Sequence, residues 1–165
     1  MGAAVRPRLT PGLTFGLRFF TCLLLFSLLF WALSLHEHLG PVQRTIATLS
    51  ALAARAGGGQ AQAQNDDIVV KTMVINVNHE CTGIFVFLLF GAFLLAYPAS
   101  WRARLIGLSI GIPALFAVNV VRLATLARIV EVYPALFFYF HEYVWQGVFM
   151  VFVLLGAIAW AERFG

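Results

Sequence analysis

Three side chains in this sequence could together break an amide bond. They are Cys81 in NHECTG, Arg122 in NVVR, and His141 in FFYFHEYVW. A thiolate can attack the carbonyl carbon, and an imidazole can carry a proton to the leaving amine. A guanidinium, permanently charged, can stabilise the oxyanion or clamp the substrate. The three lie far apart in the chain. They can act as one site only if the intervening elements bring them to a common level.

Composition says what those elements are. Apolar residues make up 61% of the 165 positions and charged residues 11%, against about 45–50% and about 25% in soluble domains. Sixteen phenylalanines outnumber seven acidic residues. One domain of this length cannot hide so much apolar surface in a globule, so the chain belongs in a bilayer. The net charge of +4 is almost wholly arginine. No basic stripe interleaved with aromatics accompanies it, which excludes nucleic acid as a partner.

Four apolar segments are of spanning size: about 19–35, about 83–97 (opening at Cys81 or Gly83), 105–121 and 143–161. At 1.5 Å per residue, each covers about 25–29 Å of the roughly 30 Å hydrocarbon layer. Short arginine-bearing segments stay on the cytoplasmic side. Arg6, Arg8 and Arg18 precede the first span, Arg102 and Arg104 separate the second from the third, and Arg163 follows the fourth. Both termini are therefore expected inside, and loops 36–80 and 122–142 outside. The first segment exceeds a signal-peptide core and lacks an A-x-A-like site after Leu35, so it reads as a retained span.

Within the first outer loop, Val42, Ile46, Leu49 and Ala53 recur at helical spacing, which predicts an amphipathic helix on the membrane surface. After Gly57-Gly58-Gly59, the β-branched run Ile68–Val77 reads as a strand, half of a hairpin with the segment before it. The expected fold is thus an all-α polytopic membrane protein of about four spans, with a small helix and β insert between the first two.

This topology puts Cys81, Arg122 and His141 near the outer mouth of the bundle. Cys81 is expected in the first turn of its helix, where the dipole favours thiolate, and Arg122 at a helix C-terminus, where it favours a cation. His141, at a helix start, is biased toward the neutral base. Asn119, one turn before Arg122, is expected to steady the guanidinium. Plainer readings stand beside these. Arg122 is also suited to anchoring at lipid phosphate, and His141 to an interfacial aromatic belt. His79 is a rival base, although neighbours two apart on a helix diverge. His36 and His38 read as interfacial polar residues. Cys22 reads as an inert small hydrophobe, too deep to pair with Cys81.

The triplet Cys81-Thr82-Gly83, the N-x-x-R of Asn119–Arg122 and a histidine heading the last span resemble the exosortase/archaeosortase family. The likeness runs from about Leu39 to the C-terminus. It includes AYPASWRARLIGL and EVYPALFFYFHEYVWQGVFM, which look closest to compact type-H exosortases. The resemblance implies a membrane-embedded thiol transpeptidase or protease of the prokaryotic inner membrane, with its site on the extracytoplasmic side. Its substrates would be membrane-anchored proteins ending in a short motif, an apolar helix and a basic tail. Cys81 would be the nucleophile, His141 the acid/base and Arg122 the stabiliser, with Asn119, Thr82 and Gly83 in support and no cofactor or metal. Two rivals remain open. One is a non-enzymatic membrane assembly subunit; the other is a metal site drawn from His79, Glu80, Cys81, His141 and Glu142.

Overall fold

The structure, a computed structural model, describes residues 10–71 and 73–164; Arg6 and Arg8 lie outside them. Helix α1 (Pro11–Ala32) opens with proline in its first turn, where the missing N–H has no helical partner to lose. Its large residues point all round: Leu17, Phe20, Leu24 and Leu28 are each more than half exposed, and only Phe30 is buried. A surface of that kind suits lipid rather than water.

The segment after α1 begins with a 3₁₀ turn at Leu35–His38 and continues as helix α2 (Gly40–Ala56). Its buried residues are Ile46, Ala47, Ser50, Ala51 and Ala54, whereas Val42 and Leu49 remain exposed. The inward face is therefore turned from the expected one. Small side chains line it because α2 packs closely on another helix, α4 (Trp101–Val132), rather than resting its bulkiest residues on an apolar surface.

A three-stranded antiparallel sheet follows in the order β1 (Gln62–Gln64), β2 (Asp67–Val70), β3 (Met73–Asn76). Asn65 takes a positive φ of 56° in the first hairpin, a conformation that asparagine tolerates better than most residues. The expected single strand over 68–77 is two strands, with Ile68 opposite Ile75 and Val69 opposite Val74. Nothing in Lys71-Thr72 announces the turn between them, and Thr72 is outside the described residues. Ile68, Val70, Ile75 and Val77 enter one core with α2 and with Leu123, Leu126 and Val130.

Three helices are long and apolar enough to cross a membrane: α1, α4 (Trp101–Val132) and α5 (Pro134–Phe164). The fourth apolar helix, α3 (Ile84–Ala96), has 13 residues and rises only about 20 Å. The chain is thus an all-α polytopic membrane protein carrying a small β insert. Helix α5 is 3₁₀ over Pro134–Leu136, has a π turn at Phe140–Val144, and is α-helical from Trp145.

The largest difference from expectation is α4. It does not end near Val121 but continues to Val132, and α5 begins at Pro134, so most of 122–142 is helical. Hydropathy marks where a helix suits lipid, not where it stops. The upper turns of α4 persist because Leu123, Leu126 and Val130 are fully buried against α2 and the sheet, each side chain contributing roughly 1.5–3 kcal/mol. The lower half of α4 joins a second core with Phe90, Leu94, Val153, Ala157 and Trp160. Asn119 and Arg122 lie in the stretch of α4 between the two cores.

Gly107 and Gly111 let α4 approach its neighbours closely. A Cβ at Gly107 would meet the Trp160 indole at 2.6 Å, and one at Gly111 would meet the Phe90 ring at 2.2 Å. Phe90 is itself buried, so moving its ring disturbs the core around it. Gly111→Ala is expected to destabilise the bundle by about 1–3 kcal/mol, read as a lowered Tm of the detergent-solubilised protein. An unchanged Tm would show that the α3–α4 contact is loose.

Candidate functional site

Cys81 does not open a helix. It sits in a 3₁₀ turn at Glu80–Thr82, ahead of α3 and outside that apolar helix. Its backbone is tied on both sides. The Cys81 N–H donates to Asn78 Oδ1 at 3.0 Å and to the Asn78 carbonyl at 3.1 Å. The Cys81 carbonyl accepts from Asn119 Nδ2 at 2.8 Å. Thr82, also buried, donates its hydroxyl to the His79 carbonyl at 2.6 Å and accepts from the Ile84 N–H at 3.3 Å. Gly83 then turns the chain into α3 at a φ of 76°, where a side chain would be strained. A Cβ there would also contact the Asn119 amide at 3.5 Å. The triplet Cys81-Thr82-Gly83 is therefore a shaped turn, in which each residue type has a separate job.

This geometry corrects two expectations. Asn119 does not hold the guanidinium; it reaches from α4 to the turn and fixes the backbone of Cys81. Nor does Cys81 lie in the first turn of α3; it precedes the N-cap Gly83 by two residues. Burial pushes the Cys81 thiol up from its ordinary range, more strongly than the Arg122 charge and the Asn78 hydrogen bond pull it down. Glu80 and Glu142 add to the rise. The resting group is the thiol, which must be deprotonated in place to react.

Three elements bring the predicted residues together. Cys81 Sγ lies 3.8 Å from His141 Nε2, and Arg122 Nη2 lies 3.3 Å from the same nitrogen. Arg122 is not at a helix end, since α4 continues for three turns beyond it. Its position is set instead by packing, its Cζ lying 5.8 Å from the centroid of Phe149. Arg122 Nε is buried and has no hydrogen-bond partner among the described residues. His141 also lies inside a helix, in the π turn of α5, with its ring stacked on Phe137 at 5.4 Å. The expected position at a helix start, with its dipole bias, is therefore not what the structure gives His141.

The remaining candidates go elsewhere. His79 turns toward α1, its ring 5.9 Å from Trp31 and 6.2 Å from His36. Cys22 and Cys81 are both free thiols. Among the described residues, no group of three or more His, Cys, Asp or Glu side chains could hold a metal ion, so the metal reading of His79, Glu80, Cys81, His141 and Glu142 has no geometric support. Sequence reasoning missed Asn78 as a backbone partner of Cys81. The signal for it was an asparagine three residues before Cys81, just ahead of the turn, where such side chains commonly accept backbone N–H bonds. Glu142, weighed only as a metal ligand, places Oε1 3.3 Å from His141 Nδ1.

A family model described as transmembrane exosortase, of the EpsH type, matches residues 10–160. No curated protein and no solved structure matches the chain.

Proposed function

The chain belongs to the transmembrane exosortase family, and from that premise we propose that it is a thiol transpeptidase whose working group is Cys81, His141 and Arg122. Family membership supports a membrane sorting role in general, with membrane proteins as substrates. The observation that carries the finer reading is the meeting of a sulfur and a guanidinium at one imidazole nitrogen, at 3.8 Å and 3.3 Å.

The chemistry follows from those contacts. As the guanidinium of Arg122 lets go of Nε2 and turns to the substrate, the freed Nε2 lone pair of His141 removes the proton of the Cys81 thiol, and the sulfur attacks the scissile carbonyl carbon. The carbonyl π bond becomes an oxyanion that needs a donor. The N–H groups of Cys81 and Thr82 are already bonded to Asn78 and His79. Arg122 serves as that donor in this reading, which its Nε, without a hydrogen-bond partner among the described residues, supports. Collapse of the intermediate breaks the C–N bond, His141 returns its proton to the leaving amine, and a thioester remains on Cys81. An acceptor amine or water, deprotonated by His141, then attacks the thioester and restores the thiol.

The substrate in this reading is a membrane-anchored protein with a C-terminal motif, apolar helix and basic tail. Cleavage takes place on the extracytoplasmic side of the prokaryotic inner membrane, with both termini of the enzyme inside. A substrate that is itself membrane-spanning presents its scissile bond just beyond the bilayer, near the level topology gives to Cys81. The test is co-production with a reporter bearing such a tail. Wild-type chain should cleave it, and Cys81→Ala should not. Undiminished cleavage by Cys81→Ala would refute the enzyme; loss of a protein complex without any cleavage in the wild type would point to an assembly subunit.

A further inference from the structure

We propose that Glu142 is the positioning residue of this site: its carboxylate takes the Nδ1 hydrogen of His141 and keeps the Nε2 lone pair turned toward the Cys81 thiol. This rests on the nucleophile–base reading above, but the contacts that carry it are independent of the substrate.

The tautomer follows from the neighbours. A guanidinium has only donors, so at 3.3 Å from Arg122 Nη2 the Nε2 atom must accept. A neutral imidazole carries one N–H, which is then on Nδ1, 3.3 Å from Glu142 Oε1. Two charged groups on opposite edges of the ring thus specify the same tautomer, with the nitrogen facing Cys81 left as the base. Adjacent residues on an α-helix point apart. His141 and Glu142 converge within the π turn Phe140–Val144, whose wider coil reduces the angle between neighbours. Phe137 holds the ring plane from one side. The groups facing His141 are therefore Cys81 from the turn before α3, Arg122 from α4, and Glu142 with Phe137 from its own helix.

Glu142 can affect the thiol in two opposite ways. Through His141 it stabilises the imidazolium and so favours the thiolate–imidazolium pair. Directly, as a nearby negative charge, it disfavours the thiolate. The sign of the effect decides which route operates.

The test measures iodoacetamide alkylation of Cys81 at neutral pH, in full-length detergent-solubilised protein carrying Cys22→Ala so that one thiol reports. Glu142→Gln keeps the shape and an acceptor but removes the charge. With His141 present, it should slow alkylation roughly three- to tenfold, as expected for a partly exposed charge-assisted hydrogen bond. With His141→Ala, the same change should speed alkylation, since only the direct charge effect is left. Faster or unchanged alkylation with His141 present would overturn the proposal. A second reading guards against misfolding: ¹⁵N shifts of the wild-type imidazole should report the Nδ1–H tautomer, and in Glu142→Ala the Nδ1 signal should move upfield as its carboxylate acceptor is lost. A wild-type Nε2–H tautomer would overturn it. Failure of the enzyme reading is separately visible, as substrate cleavage that survives Cys81→Ala. Cleavage lost in that variant, together with the wrong sign for Glu142→Gln, would remove the role of Glu142 alone.

Discussion

Replacing His141 with alanine is expected to slow substrate cleavage by about 10²–10⁴-fold while leaving a folded protein. The size follows from what the ring does. Burial holds Cys81 as a thiol, so attack needs a base within reach, and Nε2 at 3.8 Å is the one the structure supplies. The same nitrogen must later protonate an amine that is a poor leaving group without a proton. The ring is 24% exposed and stacks on Phe137, so its loss lowers the Tm somewhat, but the two apolar cores that hold the fold are built from other residues. Cleavage of a tailed reporter in cells, paired with a melting curve, checks both halves. A folded His141→Ala protein with near-normal cleavage would exclude it as the proton carrier.

Arg122→Lys is the second large effect, expected to cost about 10²–10³-fold in turnover although charge is conserved. An ammonium has no planar fork. Arg122 needs one, because Nη2 is already directed at His141 while Nε remains buried and unpartnered. A lysine could serve one of those directions but not both, and it would lose the stacked approach to Phe149. The measurement is initial cleavage rate over a range of substrate levels. Near wild-type turnover would mean that the arginine supplies charge alone.

Much of this site was legible before any coordinates. The rise per residue places Arg122 at the level of Cys81 and His141 once Arg102 and Arg104 mark the other side, and the three groups do meet. A local signal also worked where chemistry is local: the break at Gly57 ends α2. What could not be read depends on tertiary partners. Asn119 looks from sequence like a neighbour of Arg122, because one turn of helix separates them. Its real partner, the Cys81 carbonyl, becomes available only when α4 packs beside the turn.

Helix ends failed for a related reason. The segment after Arg122 leaves the apolar window but gains Leu123, Leu126 and Val130 as core, so α4 continues where a loop was expected. The dipole arguments for Arg122 and His141 fail with that change, and desolvation governs Cys81. Small residues misled in the opposite direction. Ala47, Ala51 and Ala54 carry little weight in an apolar stripe but line the buried face of α2, since a close helix contact favours them over Val42 and Leu49. At Gly107 and Gly111 the partners in close approach, an indole and a ring, exist only once the helices have packed.

One covalent bond separates a working thiol from a bystander. Membranes containing enzyme and a tailed substrate can be quenched in acid and the peptide bearing residue 81 examined by mass spectrometry. A nucleophilic Cys81 predicts a hydroxylamine-labile thioester on its sulfur, carrying the substrate's upstream fragment and accumulating when acceptor is withheld. Complete cleavage of the substrate, with that sulfur unmodified at every time sampled, would contradict it.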